Sequence, residues 1–286
     1  MQFKYTKVAS VEEALELLAV GGGAAKVIAG GTDLLVNIQE GLESPPELID
    51  IGGIAELKGI EEKDGMIELG PLVTHADVLG SELLRKKAPV LVAACSEIGA
   101  VQIRYRATIG GNIATASPSG DTVPALYALG AIVVIRGGQG EREIAIEDFF
   151  TGVKRTVLES GELIVKIRFP GMAESARSFF KKLGQRKALA IAKVSVAGYL
   201  DFQDGVVKEA RIALGAVATT VIRAEKAEEL LKGKKLSEEV IVEAGLLTKE
   251  ASKAITDIRS NAEYRDEMAG LLMTRGLKDI LKSSNL

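Results

Sequence analysis

The sequence predicts an α+β protein of two domains, and three observations predict it. Short β-type runs alternate with amphipathic helices as far as Phe169, a Pro170-Gly171 pair then breaks the pattern, and three successive strand-like runs followed by helices complete the chain. The domains are therefore placed at residues 1–172 and 173–286.

Taken in order, Val11 to Val20 carries apolar residues at helical spacing behind Ser10 as N-cap, and Gly21-Gly22-Gly23 ends it. Lys26 to Ala29 reads as a short strand, Gly30-Gly31 as a turn and Asp33 to Glu40 as a short helix. Met66 to Leu69 is a strand after the turn Lys63-Asp64-Gly65. Helices follow near Ala76 to Lys87 and Pro89 to Ile98, the first capped by Thr74 with Asp77 beside the positive end of its dipole. After a glycine-rich turn at Gly110-Gly111, a helix near Val123 to Leu129 leads into the strand Ala131 to Arg136. Glu162 to Phe169 alternates as a strand that Pro170 stops. Beyond the boundary, Ser178 to Leu183, Ala192 to Phe202 and Val206 to Ala216 suggest an antiparallel sheet, the last two joined by Gln203-Asp204-Gly205. Helices near Arg223 to Leu231, Ser237 to Ala254 and Ala262 to Leu281 cover it.

Composition narrows the function classes. The 286 residues are 47% hydrophobic and 26% charged, enough apolar content for a sizeable core. With 36 basic and 39 acidic residues and no basic stripe, nucleic acid is not a partner to expect. No apolar run reaches membrane-spanning length and the N-terminus lacks the order of a secretory signal, so a cytoplasmic location is expected. Cys95 alone can hold neither an iron-sulfur cluster nor a disulfide, and in its apolar run it reads as a buried structural thiol. His75 is the one histidine, which removes His-based triads and His-rich metal sites; beside its capping threonine it reads as structural.

Two glycine pairs could carry chemistry. Val27-Ile28-Ala29-Gly30-Gly31-Thr32-Asp33-Leu34 and Thr108-Ile109-Gly110-Gly111-Asn112 each place paired glycines after apolar residues and before a polar one. Such turns let consecutive N–H groups converge on a pyrophosphate, and two could clamp one dinucleotide; taken alone, either is weak evidence and reads more readily as a plain tight turn. Neither fits G-x-G-x-x-G or the Walker pattern, so a Rossmann domain or P-loop is disfavoured.

Ala29 to Leu35 (AGGTDLL) resembles the first FAD loop of the molybdenum hydroxylase flavoproteins, and Ala107 to Ile113 (ATIGGNI) their second. Thr115 to Asp121, Phe149 to Thr156, Gly161 to Ile164 and Ile191 to Val194 are similar to the same family in the same order, so the resemblance covers nearly the whole chain. The carbon monoxide dehydrogenase medium subunit and the xanthine dehydrogenase FAD domain are its relevant branches. The resemblance implies a p-cresol-methylhydroxylase-type FAD domain of two α/β lobes, divided near residues 55–60, and a smaller antiparallel domain. It implies FAD held by Val27 to Leu34 and Thr108 to Asn112, with Thr115, Ser117 and Asp121 on its polar groups. Ile98 and Ile164 would flank the flavin, and Lys182 would reach the ring's pyrimidine edge.

Departures from the family carry expectations too. Ile98 and Val153 stand where the xanthine dehydrogenase branch has an aromatic residue and a tyrosine, which argues against NAD as direct acceptor. Gln185 to Ala190 lacks the family's usual acidic residue, so contacts with neighbouring subunits are expected to differ. The implied function is electron transfer by non-covalent FAD. Partners would be a molybdopterin-containing large subunit and a small subunit with two-iron two-sulfur clusters, assembled as a dimer of heterotrimers. The alternatives are a self-sufficient FAD oxidase or dehydrogenase acting on a small alcohol or amine, and a nucleotide-binding module without redox turnover.

Overall fold

The computed structural model describes residues 3–186 and 188–283; Met1, Gln2, Lys187 and residues 284–286 lie outside the described residues. The chain opens with β1 (Lys4–Lys7), α1 (Val11–Val20), β2 (Lys26–Ile28), α2 (Leu34–Gln39) and β3 (Glu47–Asp50). The three strands form a parallel sheet in the order β1-β3-β2, as β-α-β crossovers require. Ser10 caps α1 by accepting from the Glu13 N–H.

A second sheet starts with β4 (Ile60–Lys63) and β5 (Met66–Leu69). Six short helices follow: α3 (His75–Gly80), α4 (Glu82–Lys87), α5 (Pro89–Ser96), α6 (Val101–Arg104), α7 (Ile109–Thr115) and α8 (Thr122–Ala128). The chain continues through β6 (Ile132–Gly137), β7 (Gly140–Ala145), α9 (Ile146–Phe149), the small hairpin β8 (Phe150–Gly152) with β9 (Arg155–Thr156), and β10 (Leu163–Pro170). β10 is central in the antiparallel order β4-β5-β10-β6-β7, so its buried residues pair on both sides.

Two expectations need correction here. The helix expected over Ala76 to Lys87 is two helices, because Ser81 leaves helical geometry (ψ 117°) and caps the second by accepting from the Leu84 N–H at 3.2 Å. Gly110 and Gly111 are not a turn between elements but the first turn of α7. Thr108 caps that helix, its Oγ1 accepting from the Gly111 N–H at 3.0 Å.

The last part of the chain holds β11 (Arg177–Leu183), β12 (Val194–Gln203), β13 (Val206–Gly215) and β14 (Ile222–Arg223) as an antiparallel sheet in chain order. β12 and β13 meet at Asp204-Gly205, both at positive φ (54° and 74°), the two-residue turn whose twist suits a hairpin. α10 (Glu225–Leu231), α11 (Glu238–Ala251) and α12 (Ala262–Ser283) pack on one face. β11 divides its side chains by period two. Phe179 joins the core under these helices and Lys181 pairs with Asp279 of α12 at 2.5 Å, whereas Phe180 joins the core of the second sheet.

The ring of Phe179 fills the space that glycines leave. A Cβ at Gly198 of β12 or at Gly276 of α12 would lie 2.3 Å from its ring carbons. Helix propensity alone would make Gly276→Ala stabilising by about 1 kcal/mol. Overpacking against the ring opposes this by about 1–3 kcal/mol, so we expect a net loss of stability in urea unfolding; a gain would show that α12 does not press on Phe179.

Candidate functional site

A cavity of about 900 Å³ opens between the parallel sheet, the helices α3, α6 and α7, the segment before α8 and the start of β10. That volume lies near the top of the range of about 300–1,000 Å³ usual for small-molecule sites. Its first wall is the segment leaving β2. Gly30 passes so close to the second glycine segment that a Cβ there would sit 1.9 Å from the Arg106 carbonyl oxygen. Gly31 follows at φ 72°, a conformation that strains any branched residue. Because the strand has ended, the backbone N–H groups of Ala29 to Asp33 have no protein acceptor among the described residues. A run of unpaired donors beside a cavity is an anion cradle.

The second wall is built differently from the first. Residues 71–75 zip against 107–110: the Ile109 N–H donates to Val73 O at 2.9 Å, Gly110 N–H to Pro71 O at 2.9 Å, and His75 N–H to Ala107 O at 3.1 Å. With the Gly111 N–H on Thr108, the first donors of α7 are committed within the chain. This corrects the expectation of two equivalent backbone cradles. What the second wall offers is side chains: the proton of Thr108 Oγ1, and the amide of Asn112, whose Oδ1 accepts from Thr122 Oγ1 at 2.5 Å. Thr115 Oγ1 donates to Asp33 Oδ2 at 3.3 Å and links the walls.

All the residues singled out in the sequence line the cavity except two. Ile109 is wholly buried in the hydrophobic core, because the first residue of α7 faces inward. Lys182 lies behind the wall, where its Nζ contacts Asp121 Oδ2 at 2.6 Å and Glu97 O at 3.0 Å. The cation expected at a ligand's edge is thus neutralised by a carboxylate. Val153, which stands where the xanthine dehydrogenase branch has a tyrosine, is exposed and outside the lining. The sequence assigned no binding role to Leu158 to Glu162, Ile103, or Leu189 to Ile191, which also line the cavity. Ile98, Ile103 and Ile164 contribute aliphatic surface to the lining.

His75 also lines the cavity, with no exposed surface. Cys95 Sγ lies 3.6 Å from its Nδ1, and its Nε2 has no partner among the described residues. Burial, with help from Arg104, lowers its pKa to about 4, and burial pushes the Cys95 thiol up, so both are neutral at pH 7. Asp121 is raised to about 6 by burial, against the pull of Lys182 and with Glu97 adding to the rise. Its Oδ1 is buried without a partner among the described residues. No group of three or more metal-ligating side chains occurs among the described residues.

Residues 1–172 match the family of the FAD binding domain in molybdopterin dehydrogenase, and residues 178–280 the CO dehydrogenase flavoprotein C-terminal domain. The chain belongs to this FAD-binding family. The resemblance first seen in the glycine motifs thus extends over nearly its whole length. The carbon monoxide dehydrogenase medium chain of Hydrogenophaga pseudoflava is 34% identical over 276 residues, 96% of each chain. The nicotine 6-hydroxylase medium subunit of Paenarthrobacter nicotinovorans is 32% identical over 95% of each. The solved Hydrogenophaga pseudoflava carbon monoxide dehydrogenase that lacks the Mo-pyranopterin moiety aligns with TM-score 0.94 at 35% identity, covering 97% of this chain and 96% of that one. Quinoline 2-oxidoreductase from Pseudomonas putida 86 aligns with TM-score 0.93 at 30% identity over 99% and 98%. As a member of this family the chain is an oxidoreductase subunit that binds FAD.

For the FAD-binding family member described here, the buried histidine sets a pH dependence. The unfolded chain takes up a proton at His75 near pH 6.5 that the native state refuses until about pH 4, so this contribution to stability is lost as pH falls through that window. Asp121 acts with the opposite sign between about 4 and 6, so the test compares variants. In unfolding measurements His75→Leu should remove a pH-dependent loss of about 3 kcal/mol. An unchanged pH profile would mean that His75 is hydrated in solution.

Proposed function

We propose that this chain is the FAD-carrying electron-transfer subunit of a molybdenum hydroxylase complex. It would take electrons from the two-iron two-sulfur clusters of a small subunit and pass them to an external acceptor. A large molybdopterin-containing subunit would oxidise the substrate, and the assembly would be a cytoplasmic dimer of heterotrimers. The relatives' names as medium chains and medium subunits support this reading. No helix among the described residues is long and apolar enough to cross a membrane. Residues 1–172, with lobes divided near residues 55–60, would bind the cofactor, and 173–286 would form the flavoprotein C-terminal domain.

The observation that carries the proposal is the run of unpaired N–H groups from Ala29 to Asp33 in a cavity whose lining also includes aliphatic side chains. FAD joins a pyrophosphate to a planar apolar ring, and both halves find a matching surface. Ala29 to Asp33 would hold the diphosphate, with the Thr32 and Thr108 hydroxyls and the Asn112 amide adding donors. Thr115 and Ser117 would meet polar groups of the cofactor, and Ile98 and Ile164 would pack on the ring. Bound FAD would supply acceptance of electrons one at a time from one-electron carriers and their onward release to an acceptor. The residues of this chain bind and orient it and exclude water from its aliphatic flank. Neither His75 nor Cys95 is placed to hold a flavin covalently, since each is buried against the other.

The purified chain should carry about one flavin per polypeptide, released into the supernatant by acid as FAD, since His75 and Cys95 are buried against each other. FMN, or flavin retained in the pellet, contradicts the reading. Gly31→Val should lose the flavin while unfolding cooperatively, because a branched residue strains φ 72° and closes the cradle. Reduction by dithionite but not by purines, aldehydes or carbon monoxide is expected of the isolated chain. Substrate-dependent bleaching should appear only with molybdenum and iron-sulfur partners, and bleaching without them would favour the oxidase.

A further inference from the structure

The buried pair Asp121–Lys182 joins two parts of the chain. Asp121 is the residue before α8 and lines the cavity; Lys182 comes from β11, beyond the Pro170-Gly171 boundary. Side-chain exposure is 8% and 5%, so water solvates neither charge. Lys182 shares the β11 face of Phe180, which points away from the C-terminal helices, and its Nζ divides its hydrogen bonds between Asp121 Oδ2 and Glu97 O. Asp121 Oδ1 is left without a donor among the described residues, an unfavourable state for a buried acceptor unless something in the cavity supplies one.

Resting on the assignment of the cavity to FAD, we propose that Lys182 is a positioning residue, which by holding Oδ2 keeps Asp121 ionised and offers its free Oδ1 to a hydroxyl or N–H donor of the cofactor. The other groups facing this carboxylate do not substitute for the cation. Glu97, at the end of α5, repels it; Cys95 of α5 and His75 of α3 are neutral; Arg104 of α6 donates to the carbonyls of Ile98 and Gly99. Without Lys182 the carboxylate would be a lone buried charge and would take a proton instead. A protonated Asp121 is a poor acceptor for a ligand donor.

The test is FAD affinity of the full-length apo-protein, followed by quenching of FAD fluorescence between about pH 5 and about pH 8. Wild type should lose affinity several-fold as pH falls through about 6, where Asp121 protonates. Asp121→Asn should bind about tenfold more weakly with no such step. Lys182→Met should move the step upward by at least about one pH unit, and Lys182→Arg should restore it. Adding Lys182→Met to Asp121→Asn should cost no further affinity. A purely structural role for Lys182 would weaken binding by one factor at every pH and leave the midpoint in place, and that result overturns the proposal. If Lys182→Met does not fold, a flat wild-type profile or an altered midpoint in Lys182→Arg overturns it instead. Failure of wild type to bind FAD at any pH would sink the cofactor assignment itself, whereas tight binding with a flat profile sinks only this inference.

Discussion

Two backbones cross where Gly30 passes the carbonyl of Arg106, too close to admit even a methyl group. Everything at the site follows from that approach. It brings the end of β2 against the segment that leads into α7, and that segment is itself fixed by the hydrogen bonds of residues 71–75 to 107–110. The crossing therefore docks the small parallel sheet onto a rigid edge of the larger unit. Since β2 has no partner past Ile28, the peptide groups that emerge beyond the crossing keep their donors free for a ligand. A strand one or two residues longer would have used them in pairing.

The polar groups behind the cavity obey one electrostatic rule: each is neutral or neutralised. His75 is uncharged beside an uncharged thiol, and the charges of Asp121 and Lys182 cancel at 2.6 Å. Buried charges left unpaired are strongly unfavourable, so a binding site that must hold an anionic cofactor cannot also carry stray charge in its wall. The attraction for phosphate is left to backbone dipoles, which add none.

Much of this was legible in the sequence, and what was not shares a physical cause. Ser10, Thr74 and Asp204-Gly205 announce caps and a hairpin through local hydrogen bonding and φ preferences, and each acts as its chemistry dictates. The strands β1, β3, β4 and β7 gave no reading, since short strands with many polar residues acquire their form from pairing at long range. The glycine pairs marked where backbone comes close, but not where the N–H groups lead; for Gly110 and Gly111 they lead back into the protein. Ile109 and Lys182 were misplaced for the same reason, as the direction of a side chain depends on which face a distant element covers.

The alternation along β11 has a consequence for how such a chain can change. Phe179 and Lys181 serve one core and Phe180 and Lys182 the other, so the strand carries two interleaved messages in neighbouring letters. Slipping its register by a single residue exchanges the two sets, burying the wrong ring under α12 and withdrawing the cation from Asp121. The C-terminal sheet is thus no detachable appendage that could be swapped freely among relatives. Any exchange must preserve the phase of this strand, and an insertion within it is felt at the cavity wall on the far side of the protein's own hydrophobic layer.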